Sequence, residues 1–213
     1  IIVGKDHEFT YDRVVFALSP QLVAGIRFDP ALPADRKAIN NALLPGHAIK
    51  VILVFDEAFW LDSKSACTLP FMELGPVHNL FHTQVGEKPA LVGLITGAAA
   101  LACETLEKEE RKRRVLDQIK VMYGVASEPV VYLERVWGQE EFSGGCFAGI
   151  CPPNGSIFRL GHCLRPALGK FHWASTETAT EFYGYMEGAL RSGKRAAAEV
   201  LATAIVYRSP TIV

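Results

Sequence analysis

The sequence contains no run approaching the ~20 apolar residues needed to cross a membrane. Its last stretch, Ile205–Val213, is short and interrupted by Arg208 and Pro210, so a soluble, intracellular protein is expected. An excess of one charge sign is also missing: 22 Lys and Arg face 23 Asp and Glu, a net charge of -1. That balance gives no reason to expect nucleic acid or an acidic membrane surface as partner. The five cysteines are odd in number and scattered, and they form neither a disulfide framework nor a zinc-ligand pattern. A reducing compartment follows as the simpler expectation. No G-x-G-x-x-G turn, the usual seat of a dinucleotide pyrophosphate, occurs anywhere. Gly144-Gly145 and Gly184, Gly188 and Gly193 have neither its spacing nor its context.

What remains is ample material for a core, since 49% of the 213 residues are hydrophobic and such a length permits one or two domains. Val14–Leu18 reads as a buried strand ended by Ser19-Pro20, and Ala34–Leu43 as a short helix. Ala48–Phe55 is a clear strand, with Ile49, Val51, Leu53 and Phe55 on one face and Ala48, Lys50, Ile52 and Val54 on the other. Lys50 is its only charge, which alone suggests an edge strand with the ammonium reaching to water. Asp62–Lys88 is loop-rich. His78 and His82 could share a metal only on a helix, and the stretch around them lacks helical patterning, so no metal is expected. Ala90–Ile95 reads as a strand. Thr105 is the expected N-cap of a helix ending at Gly124, with Leu116, Ile119 and Tyr123 as its apolar stripe and EKEERKRR as a solvated face. Pro129–Glu134 is a further short strand, leading to Trp137.

The densest stretch is the last. SGGCF (Ser143–Phe147) is followed by a Pro/Gly-rich run and then by STETAT…GYMEGA, where a long helix begins after Gly184. Its first turn offers unpaired N–H groups and a partial positive charge, a favourable place for an anion. Gly188, Gly193 and the alanines leave one side narrow enough for another backbone to lie close.

These blocks resemble the C-terminal signature of flavin-containing monoamine oxidases, in which an SGGC-type motif precedes a TETAT…GYMEGA block. The similarity extends to FDPALPADR (Phe28–Arg36), HAIKVILVFDEAFW (His47–Trp60) and ERVW (Glu134–Trp137). It implies an α/β fold: an incomplete Rossmann-like FAD-binding domain from residues 1–39 and 140–213, and an α+β substrate domain with a mixed sheet from 40–139. The implied cofactor is FAD, possibly covalent through Cys146, with Trp137, Ser175, Thr176, Gly184, Tyr185 and Met186 also at the cofactor. Lys50 would hold a water against the flavin, and Phe147 and Tyr185 would flank the substrate amine. The implied reaction takes a primary or secondary amine and O2 to imine or aldehyde and hydrogen peroxide. Two residues depart from the family pattern: Phe147, where tyrosine is usual, and Ser175, where glycine is usual. Cys151 and Cys163 match no site and read as structural. An amino-acid or polyamine oxidase, and a silent fragment or pseudo-enzyme used for binding, remain open. With no dinucleotide turn, the 213 residues taken alone are expected to be inactive, requiring an N-terminal half or partner chain.

Overall fold

The computed structural model describes residues 2–4, 7–61 and 75–206. Residues 62–74 of the stretch expected to be loop-rich, and the C-terminal residues 207–213, lie outside them; the described part of that stretch contains a strand, Asn79–Val85. Within them the chain divides into two compact units, one of residues 1–45 and 148–213, the other of residues 46–147.

The second unit is built on a four-stranded sheet. Its strands are β4 (Ala48–Val54), β5 (Asn79–Val85), β6 (Lys88–Thr96) and β7 (Val131–Val136), in the order β5-β6-β4-β7. The alternation in β4 decides its layering. Ile49, Val51 and Leu53 are fully buried and pack with Leu91 and Ile95 of β6 and with Val115 and Ile119 of a helix. That helix is α4 (Lys108–Tyr123), preceded by α3 (Gly97–Glu104). Thr105 does not start α4; it sits at the C-terminal end of α3, and Glu107 occupies the N-cap position. Gly124, left-handed at φ 72, ends α4 as expected. The edge-strand reading of Lys50 also fails, because β4 lies between β6 and β7.

The buried stripe of α4 runs Arg111, Val115, Gln118 and Ile119, so its charge block is not wholly solvated. Arg113 and Arg114 pair with Glu110 on the exposed side. Arg111 turns inward instead, and its guanidinium meets Glu134 of β7 at 2.5 Å with both side chains under a tenth exposed. Tyr132 donates to the same carboxylate at 2.9 Å, and Arg111 also donates to the Leu106 carbonyl. Removing one partner strands a buried charge. Glu134→Ala is therefore expected to cost about 3–5 kcal/mol, read as a lower midpoint in urea unfolding.

The first unit carries the remaining elements: the ribbon of β1 (Ile2–Val3) and β2 (Glu8–Phe9), β3 (Val14–Phe16), α1 (Pro20–Val23), α2 (Ala34–Ala42), α5 (Ser156–Leu160), β8 (Phe171–Trp173) and α6 (Met186–Val206). β3 pairs in parallel with β8, Phe16 opposite Trp173. A mixed sheet is expected in the substrate domain; every described pairing in the four-stranded sheet is antiparallel, and the parallel pairing lies in the first unit. Phe16, Phe28, Phe171 and Trp173 form one ring cluster. Arg36 lies 3.8 Å over Trp173 and donates to the Cys163 and Leu164 carbonyls; burial lowers its pKa to about 10. Ile39 and Leu43 pack with Leu164, and Cys151 and Cys163 lie against that cluster. This packing keeps α2 with the first unit, so the division falls after Pro45 and not after Ile39.

Candidate active site

Strand register sets Lys50 beside Leu94, and Ile52 beside Val92, which in turn neighbours Phe81 of β5. Ala48, Lys50, Val92, Leu94 and Phe81 form the floor of a cavity of about 310 Å³, completed by Trp137, Cys146 and Phe147. Four expected site residues, Lys50, Trp137, Cys146 and Phe147, are thereby brought together from separate parts of the chain. The lining is apolar except for one ammonium and one thiol. Among the described lining residues there is neither a carboxylate nor an arginine.

Backbone geometry explains how Cys146 arrives there. Gly144 and Gly145 hold φ 64 and 146, conformations that side chains strongly disfavour, and the Gly144 N–H donates to the Glu140 carbonyl at 2.7 Å. The Cys146 N–H then donates to the Gly46 carbonyl at 2.9 Å. This bond keeps the SGGC segment with the sheet, placing the second division after Phe147 rather than after residue 139. A Cβ on Gly46 would lie 2.8 Å from the Cys146 carbonyl carbon and nearer still to its oxygen. Gly46→Ala should therefore displace the Cys146–Phe147 peptide from β4 at a cost of about 1–3 kcal/mol. The check is a lowered urea midpoint together with an altered rate of Cys146 alkylation.

Burial pushes the Cys146 thiol above its ordinary pKa, and the nearby Lys50 charge opposes that shift. The thiol is thus mainly protonated at neutral pH, and its reactivity should climb as pH rises through the raised value. Removing the ammonium removes the opposing influence. Lys50→Met is expected to slow iodoacetamide labelling of Cys146 at fixed pH and move its pH profile upward, as followed by peptide mass mapping.

The remaining expected residues form a second group in the first unit, at the head of α6. Thr176 fastens it: its hydroxyl accepts from the Gly184 N–H at 2.6 Å and donates to the Tyr185 carbonyl at 3.1 Å. Gly184 is left-handed at φ 84. Ser175 opens the turn, its N–H donating to the Thr178 hydroxyl at 3.1 Å. Tyr185 and Met186 are exposed, the latter by 90%. The close backbone expected along α6 is found at Gly188, beside Phe182, and not at Gly193, where nothing lies within 4 Å of an added Cβ.

Three features escaped the sequence reading. Glu177, buried, accepts from the Gly149 N–H at 2.8 Å, and Tyr183 donates to the Gly149 carbonyl at 2.5 Å; no local pattern signals either contact. Phe81, Val92 and Leu94 share a face with Lys50, which only the strand register reveals. Gly46 reads as an ordinary turn glycine until Cys146 is placed against it. His78 and His82 lie beside and on β5, with His78 Nδ1 3.0 Å from the Thr96 hydroxyl. Among the described residues no three His, Cys, Asp or Glu gather as metal ligands, and no helix is long and apolar enough to cross a membrane.

Comparison with known proteins gives the family. The family model for flavin containing amine oxidoreductases matches residues 2–201. A probable flavin-containing monoamine oxidase A from Dictyostelium discoideum is 36% identical over 203 residues, covering 93% of this chain and 44% of that relative. Flavin-containing amine oxidase A from Sus scrofa is also 36% identical, over 94% of this chain and 39% of its own length. Wild-type putrescine oxidase bound to putrescine superposes with a TM-score of 0.80 at 31% identity, covering 89% of this chain and 42% of that one. Cyclohexylamine oxidase from Brevibacterium oxydans gives 0.77 at 29% identity, covering 88% and 42%. The chain thus spans about two fifths of the length of these relatives. Matched along nearly its whole length, the chain belongs to the flavin-containing amine oxidoreductase family.

Proposed function

We propose that this chain forms the substrate-facing wall, and part of the FAD-binding domain, of an oxidase that converts a primary or secondary amine to an imine. The unit of residues 46–147 is the substrate segment and the other the cofactor segment. The observation that carries the reading is the cavity in which Lys50, Cys146 and Phe147 meet. FAD is the family's cofactor, and the residues present fit it: a partly buried thiol opens into an apolar cavity holding a single cation. Cys146 is assigned as the point of attachment, with Trp137 beside it. Ser175, Thr176, Gly184, Tyr185 and Met186 are assigned to the cofactor through the N-terminal end of α6, where free N–H groups favour an anionic group. When bound, FAD supplies the two-electron chemistry, taking hydride equivalents from the amine α-carbon and passing them to O2 to give hydrogen peroxide.

The protein's part is placement and electrostatics. The Lys50 ammonium, the one charge among the described lining residues, holds a water and stabilises negative charge as oxygen is reduced. Phe147 offers an aromatic face to the amine and excludes water, a role the proposal extends to Tyr185 at the head of α6. The apolar lining favours the neutral amine over its ammonium form, and the neutral amine carries the nitrogen lone pair that forms the C=N bond as hydride leaves the α-carbon. A second ammonium, or an amino-acid carboxylate, finds no counter-charge in this lining, which favours a monoamine over a diamine or amino acid. The test uses Phe147→Ala beside Phe147→Tyr in FAD-loaded protein. The alanine variant should lose at least the ~10-fold in kcat/KM for benzylamine that one missing methylene costs a pocket, and the tyrosine variant should keep activity. An alanine variant as active as the parent would remove Phe147 from the site.

A further inference from the structure

The first unit holds a second cavity, lined in part by Phe28, Ala31 and Leu32 of the FDPALPADR block and absent from the proposed chemistry. It lies between the end of α1, the loop that follows and the outer side of α2, and its volume is about 190 Å³. Asn40 lines it while only 1% exposed, and neither its side-chain nitrogen nor its oxygen has a hydrogen-bond partner. A buried amide left unpaired at both ends is costly, and such groups in native structures point to an unseen partner. Arg27 and Lys37 line the same cavity, and among the described residues neither forms an ion pair or side-chain hydrogen bond. The nearest acids in sequence, Asp29 and Asp35, are not part of the lining. The rest of the wall is apolar, with Val23, Ile26, Phe28 and Leu32.

We propose that this cavity is a binding site for a small oxyanion that also carries a hydroxyl group. The charge follows from two cations without a counter-ion. The hydroxyl follows from Asn40: its NH2 donates to an anionic oxygen, while its carbonyl needs a donor, which a fully deprotonated carboxylate cannot supply. The volume equals about six waters at liquid density, enough for hydrogen phosphate or a short 2-hydroxy carboxylate and too little for a nucleotide. Arg27 reads the oxyanion as a fork and Lys37 as a point charge.

Inorganic phosphate and lactate are titrated separately into the purified protein, followed by thermal melting and calorimetry, with chloride at matched ionic strength as the control. Saturable binding of at least one, raising the melting temperature in proportion to the logarithm of its concentration, is expected; which one binds identifies the source of the oxyanion. Asn40→Leu keeps the side-chain size and removes the unpaired amide. It should melt at a higher temperature than the parent without ligand, yet bind at least tenfold more weakly. Arg27→Gln, on an exposed loop where folding is not at risk, should weaken binding in the same way. The proposal is overturned if neither anion binds beyond the chloride control, in which case the cavity holds water only. It is equally overturned if both variants bind as tightly as the parent.

Discussion

In FAD-loaded protein carrying Lys50→Met, reoxidation of the reduced cofactor by O2 should be slower by about 10²-fold, the scale of losing one preorganised electrostatic group. The FAD content should stay close to that of the parent. Lys50 sits on an interior strand, opposite Leu94 on one side and Arg135 on the other, so methionine keeps the strand and much of the side-chain length. Only the ammonium is lost. Stopped-flow mixing of the reduced variant with oxygenated buffer provides the measurement. A reoxidation rate equal to the parent's would return Lys50 to an incidental surface charge.

The second large effect concerns Cys146. Cys146→Ala should abolish flavin that survives acid precipitation, whereas Cys151→Ala and Cys163→Ala should leave it intact. Those two cysteines pack against the Leu164 cluster in the other unit, while Cys146, alone among the described cysteines, lines the cavity with Lys50. Because burial raises the Cys146 thiol and Lys50 counters the rise, Lys50→Met should additionally retard attachment at neutral pH by reducing the thiolate fraction. Yellow colour retained in acid-precipitated Cys146→Ala protein would place the attachment elsewhere.

β4 and the long helices are legible because their signals are local, whereas β5 lies in a stretch that reads as loop-rich. The alternation of β4, the capping glycine of α4 and the helix following Gly184 all come from neighbouring residues and their periodicity. Misreadings arose where a neighbour distant in sequence decides. Lys50 resembles an edge-strand charge until β6 and β7 close on both sides of it. Arg111 belongs to an obviously charged block, yet its spacing from Val115, Gln118 and Ile119 already put it on the buried stripe. That spacing was readable; its partner Glu134, reached across the sheet, was not. Thr105 is a good N-cap by type, but α3 runs into it and uses it as an end. The candidate site divides in the same way. Motif resemblance nominated Cys146, Phe147 and Lys50 residue by residue, while Phe81, Val92 and Leu94 enter only through register. The tight approach of Gly46 to Cys146 likewise exists only in three dimensions.

The most direct test of the central claim, that the Lys50–Cys146–Phe147 cavity serves flavin-dependent amine oxidation, is one anaerobic mixing experiment. FAD-loaded protein is combined with benzylamine in the absence of oxygen and its blue absorbance is followed; oxygen is then admitted and peroxide assayed. The account predicts bleaching by the amine, recovery of the absorbance with oxygen, and peroxide equimolar with the amine consumed. It predicts as well that Lys50→Met bleaches normally but recovers slowly. Protein with a full complement of FAD that is bleached by no monoamine, aromatic or aliphatic, would contradict it.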